Sequence, residues 1–184
     1  SDLGYSHEDV KDIIYSIPTS SIAYEFTRRF YEILDINVEN IAAGFNAYDL
    51  INVKNDKDEV DYERISSLLR QKRGFSKITL RDEIKAGEKI VKFGAVIGNP
   101  PYQKGISEEK LNSSLSKQLF PYYTILSMEI TTNISSLIIP ARWFAGDAQD
   151  KSFLKLREFF KTKDTLSDLY YFEDTNSIFN NVEI

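Results

Sequence analysis

Apolar residues recur along the chain at two different spacings. Over residues 6–17, Val10, Ile13, Ile14 and Ile17 fall on one helical face. Ser6 is placed to cap the free amides there, Glu8 and Asp9 suit the first turn, and Pro18 stops the run. Residues 21–25 predict a short strand, and residues 27–34 a helix striped by Phe30, Ile33 and Leu34. A helix is expected over 60–72 with Ile65, Leu68 and Leu69 inward, and a hairpin over 78–84 and 89–92. FGAVIG at 93–98 is nearly all apolar, as expected of a central parallel strand covered on both faces. A helix over 119–131 follows, which tolerates Pro121 only in its first turn. SSLII at 135–139 predicts a strand closed by Pro140, residues 152–161 an amphipathic helix, and residues 166–172 another strand. Such alternation across 93–172 predicts parallel strands joined by helical crossovers.

The stretch VIGNPPYQ, residues 96–103, interrupts this pattern where a strand should end. Pro100 pushes Asn99 towards extended backbone, and neither Pro100 nor Pro101 carries an N–H. The outcome is a stiff turn rich in acceptors and poor in donors. The Asn99 side-chain oxygen and the Pro100 carbonyl suit an –NH₂ group with two hydrogens to give, and Tyr102 offers a flat face for a ring. An amine on a flat ring describes an exocyclic amino group of a nucleobase, which must leave the duplex to be reached. The bland alternative is a structural di-proline turn with a packed tyrosine.

Composition narrows the chemistry without fixing it. A length of 184 residues, 42% of them apolar, suits one domain with a substantial core. The chain has 28 acids against 23 bases and a net charge of −5, unlike an indiscriminate nucleic-acid binder. Arg64, Arg70, Lys72, Arg73, Lys77 and Arg81 form a local basic stretch, read either as a phosphate track or as a solvated face. With no cysteine, disulfides and cysteine zinc sites are excluded; with only His7 among histidines, neither a histidine triad nor a metal is expected. No window reaches the roughly 18 apolar residues that span a bilayer, and the polar opening is unlike a signal peptide. A cytoplasmic protein without a membrane partner is the expectation. The polar start and the closing NNVEI read as a piece of a longer protein.

GNPPY after an apolar strand resembles the motif of the amino-methyltransferases that modify adenine N6 in DNA. IIPARWFAGDAQDKSFLKLREFF and YYFEDTNSIFNNVEI downstream resemble the Eco57I-like adenine-specific restriction–modification methylases. The resemblance covers residues 91–184, leaving 53–91 as an insertion or connecting segment. It implies an α/β, Rossmann-like S-adenosylmethionine-dependent methyltransferase fold with a mostly parallel sheet. By the same resemblance, Asn99, Pro100 and Pro101 form the catalytic turn, Asn99 and Pro100 bind the target amine, and Tyr102 stacks on a flipped adenine of double-stranded DNA. Gly98 allows close approach at the strand end, and Pro140, Arg142 and Trp143 line the same cleft; simple packing is the alternative for Trp143.

This chain departs from the family in lacking the glycine-rich loop that wraps the cofactor's methionine portion: its eight glycines are scattered, with no G-x-G. The sheet is therefore expected to lack its first strand. Glu25, ending the strand over 21–25, is then a candidate for the cofactor ribose, and Asp49, ending a third strand, for its adenine. The alternatives are an exposed helix-start carboxylate for Glu25 and a turn residue for Asp49. A target-recognition domain is expected outside these residues; whether a nuclease is fused there as well is left open by the sequence. The competing functions are methylation of an RNA base or a protein glutamine, and a non-catalytic DNA-binding or assembly module.

Overall fold

The computed structural model describes residues 6–71, 74–84, 91–103, 118–146, 148 and 151–173. Two compact units divide the chain: residues 1–94 with 129–133, and residues 95–128 with 134–184.

In the first unit, helix α1 (His7–Val10) is shorter than the apolar pattern suggested. Ser6 and Asp9 close a reciprocal capping box at its start. Helix α2 (Ser21–Ile33) overturns the strand expected over 21–25. Ser20 caps it by accepting from the Ala23 N–H at 3.1 Å, which commits residues 21–25 to the first helical turns. The apolar residues Ile22, Phe26, Phe30 and Ile33 then recur every three or four positions on a face left in solvent, with Ile22 83% exposed. Tyr31 faces inward, and its hydroxyl meets Ser16 Oγ at 2.5 Å.

Helices α3 (Ala47–Leu50) and α4 (Tyr62–Leu69) supply much of this unit's core. Leu50, Ile65, Leu68 and Leu69 are buried there with Ile41 and Ile78. Asp61 caps α4 through the Arg64 N–H at 2.9 Å, so the helix starts two residues later than periodicity alone suggested. Tyr15, Phe75 and Phe93 form an aromatic cluster with centroids 4.9–5.9 Å apart. Residues 75–77 form a 3-10 turn and residues 78–84 no strand, so the first arm of the expected hairpin is absent; its turn lies outside the described residues.

Strand β1 (Phe93–Gly98) starts in the first unit and continues in the second. Helix α5 (Phe120–Ile130) runs without a linker into strand β2 (Thr131–Leu137). The two strands pair as a parallel two-stranded sheet. Within the first unit the Thr131 hydroxyl reaches the Phe93 carbonyl at 3.2 Å, and within the second the Ile138 N–H donates to the Gly98 carbonyl at 3.0 Å. The strand–helix–strand order expected from the sequence is thus present, with Pro121 in the first turn of α5. Full cover of FGAVIG is not: Ile97 is 79% exposed and Ile134 on β2 is 60% exposed. A continuous apolar run can fit a strand with cover on both faces, but the described residues supply only one neighbouring strand.

Core packing in the second unit gathers Leu119, Phe120, Leu126, Trp143, Phe153, Leu156 and Phe160. Helix α6 (Ser152–Lys163) contributes the last three from one face and matches the expected amphipathic segment. Residues 166–172 do not form the expected strand. They remain exposed, with Tyr171 against Phe144 at 6.1 Å. Aromatic content favours extended backbone, yet a strand exists only through a ladder with a neighbour.

Candidate functional site

The second unit brings the ends of two parallel strands together. Because Ile138 bonds to Gly98, the NPPY turn leaving β1 and the Pro140–Arg142 segment leaving β2 emerge at the same carboxyl end of the sheet. Open α/β sheets bind their ligands at this end.

Asn99 is exposed, while Pro100, Pro101 and Tyr102 are half-buried. No described residue donates a hydrogen bond to the Pro100 carbonyl. Tyr102 is fixed from both directions. Its carbonyl accepts the Leu119 N–H at 2.9 Å, just before α5 begins, and its hydroxyl donates to Asn99 Oδ1 at 2.6 Å. Burial pushes the Tyr102 phenol above its ordinary pKa, against the smaller downward pull of the Asn99 bond, so it stays a donor at neutral pH. A Cβ built on Gly98 meets only Leu137 Cδ2, at 3.9 Å. Among the described residues there is therefore room for a side chain at Gly98, and a glycine there leaves that space open.

Pro140, Arg142 and Trp143 share the segment after β2 but do different things. Pro140 leads into a 3-10 turn over Ala141–Trp143. Trp143 is 6% exposed and packs on Phe160 at 5.4 Å and on Phe144 at 4.6 Å, so its role in the described contacts is packing. The Arg142 guanidinium lies 5.7 Å from the centre of the Phe120 ring. Burial lowers its pKa.

Arg157, which the sequence did not single out, holds this turn in place. One terminal nitrogen of its guanidinium donates to the Trp143 carbonyl at 2.6 Å and to the Gly146 carbonyl at 2.7 Å. Its signal in the sequence is faint: one cation among apolar residues of an amphipathic helix, three before Phe160.

Glu25 and Asp49 belong to the first unit, and neither ends a strand. Glu25 is exposed on α2, where its carboxylate pairs with Arg28 at 3.0 Å. Asp49 closes a capping box on α3: its Oδ2 accepts the Asn46 N–H at 2.9 Å, and its own N–H donates to Asn46 Oδ1 at 3.2 Å. The strand ends that motivated a ribose and an adenine contact are absent, and both carboxylates already have partners. In the described residues Glu25 is held by an ion pair and Asp49 by a helix cap, while Gly98 stands at the end of β1.

The basic stretch is also largely committed. Arg64 donates to the Asp82 carbonyl at 3.1 Å, Arg70 to the Val91 carbonyl at 3.3 Å, and Lys77 pairs with Glu39 at 2.8 Å. Lys72 and Arg73 lie outside the described residues. Arg64 and Arg70, tied to backbone carbonyls, staple loops to α4 and its C-terminal end.

A parallel strand–helix–strand unit with an acceptor-rich turn at its carboxyl end makes this a mixed α/β protein. The family model described as Eco57I restriction-modification methylase matches residues 12–179, and the chain belongs to that family. It is also similar to an "Uncharacterized adenine-specific methylase" of Mycoplasma pneumoniae, with 25% identity over 125 residues. That match covers 65% of this chain and 29% of the relative, so the chain spans less than a third of the length of this curated relative. No solved structure matches the chain. No helix among the described residues is long and apolar enough to cross a membrane.

Proposed function

We propose that this chain carries the methyl-acceptor half of a DNA adenine-N6 methyltransferase site from a restriction–modification system, with S-adenosylmethionine as the methyl donor. The observation that carries this reading is the Asn99–Tyr102 turn at the carboxyl end of β1, with the Pro100 carbonyl unbonded among described residues and the segment after β2 alongside. Family membership and the printed name of the Mycoplasma relative support it.

In this reading Asn99 Oδ1 and the Pro100 carbonyl accept the two hydrogens of the target amine. Accepting both favours a pyramidal nitrogen and returns its lone pair, otherwise spread into the ring, to a nucleophilic role. The proline pair contributes by omission, because no backbone N–H competes for those acceptors. Tyr102 supplies a stacking face for a base taken out of the duplex. Gly98 keeps the strand end open, and Arg142 and Pro140 line the approach. Glu25 and Asp49 have no part in holding the donor in their present settings, and no step is assigned to them.

The test is methylation of double-stranded DNA by the full-length protein that carries this chain, read as transfer of labelled methyl groups to adenine. Label on cytosine, on RNA or on a protein glutamine would move the substrate assignment. Transfer to none of them, with DNA still bound, would favour a non-catalytic DNA-binding module.

A further inference from the structure

The Tyr102 hydroxyl has no role in the stacking just described, yet it makes the motif's one hydrogen bond between side chains, to Asn99 Oδ1 at 2.6 Å. That bond bears on a weakness of asparagine as an acceptor. A carboxamide presents an oxygen at one end and an NH₂ of nearly the same size at the other, and a half-turn exchanges them. With the NH₂ turned towards a target amine, donor faces donor and the contact is repulsive. Asn99 is exposed, and among the described residues only Tyr102 bonds its side chain. Pro100 and Pro101, with fixed φ, set the spacing that lets residue 102 reach back to residue 99.

We propose that the Tyr102 hydroxyl is a positioning group, holding the Asn99 carboxamide with its oxygen rather than its NH₂ presented to the target amine. A carbonyl oxygen has two lone pairs, so the phenol occupies one and leaves the other for the amine. The raised phenol pKa keeps the donor protonated across the neutral range. Tyr102 thus joins two tasks, the ring face for the base and the hydroxyl for its neighbour's orientation. The inference rests on the methyltransferase reading of the same turn.

The test is a double-mutant cycle in the full-length protein, together with a spectroscopic readout that needs no turnover. Tyr102→Phe keeps the stacking ring and removes only the donor. It should lower kcat about fivefold, the size of one neutral hydrogen bond, with KM for DNA within about twofold. Asn99→Asp supplies two equivalent oxygens that need no orienting, so on that background Tyr102→Phe should change kcat by less than about twofold. An equal loss on both backgrounds overturns the proposal, because the hydroxyl would then act on something else. In ligand-free protein, Tyr102→Phe should shift the Asn99 side-chain amide resonances; unmoved resonances overturn it as well. Should Asn99→Asp abolish turnover, the resonances decide alone. Absence of methylation by the unmodified protein instead defeats the underlying reading, and is separable from either result.

Discussion

A hydrogen-bond acceptor is only as useful as the absence of competing donors around it. At residues 99–102 the chain meets that condition by covalent structure, since two of the four residues have no N–H at all. Asn99→Ala removes one acceptor and nothing that packs. In the full-length protein it should abolish methyl transfer while leaving affinity for S-adenosylmethionine within a few-fold; parallel loss of both would place Asn99 in the donor site instead. Tyr102→Ala removes the ring as well as the hydroxyl. Capture of a flipped base should weaken by about 1–3 kcal/mol, the usual worth of one base–aromatic stack, as read by the fluorescence of a 2-aminopurine at the target position. Turnover unchanged in that variant would reduce Tyr102 to a packing residue. The motif itself was legible in the sequence, because prolines after an apolar run can only end a strand. Its internal hydrogen bond was not, since whether residue 102 reaches residue 99 depends on turn geometry that composition does not encode.

Among the elements, the best-read ones are those whose limits are written in covalent terms. Pro121 stands in the first turn of α5 as expected, whereas the strand expected over 135–139 up to Pro140 runs instead over Thr131–Leu137, and Pro140 leads into the next turn. Residues 21–25 were misread because five residues are too few to separate a period of two from a period near 3.6. The cap at Ser20 and the later positions Phe26, Phe30 and Ile33 decide for helix. The strand expected to end at Asp49 gives way to helix for a related reason: Asn46 three residues earlier makes a capping box with Asp49, a pairing legible in the sequence. Two substitutions test how elements are held. Arg157→Met keeps the packing of the stem but abandons two carbonyls. It should cost the second unit about 1–3 kcal/mol in chemical denaturation and speed amide exchange at residues 141–146. Gly74 sits where an added Cβ would collide with the backbone carbonyl of Glu39. Gly74→Ala should therefore destabilise the first unit by about 1–3 kcal/mol, with a lowered denaturation midpoint, whereas a neutral outcome would mean that the 75–77 turn shifts freely.

At the scale of the whole molecule, the acceptor-rich turn of the proposed methyltransferase site is legible in the sequence, and a glycine-rich cofactor loop is not. No glycine cluster could be found, and the two carboxylates offered in its place are occupied as an ion pair and as a helix cap. Calorimetric titration of the 184-residue chain with S-adenosylmethionine should accordingly show weak binding or none, and a Kd in the micromolar range would demand a donor site built from other residues.

The uncovered strands have a further consequence for the chain in solution. Ile97 and Ile134 put oily side chains on a ribbon only two strands wide, and each strand has a neighbour on one side alone among the described residues. Such a ribbon is a template that another copy can extend, so colloidal behaviour should depend steeply on concentration. Light scattering of the isolated chain should rise well before chemical unfolding begins. Ile97→Lys, which places a charge on that ribbon without touching the core, should delay the rise.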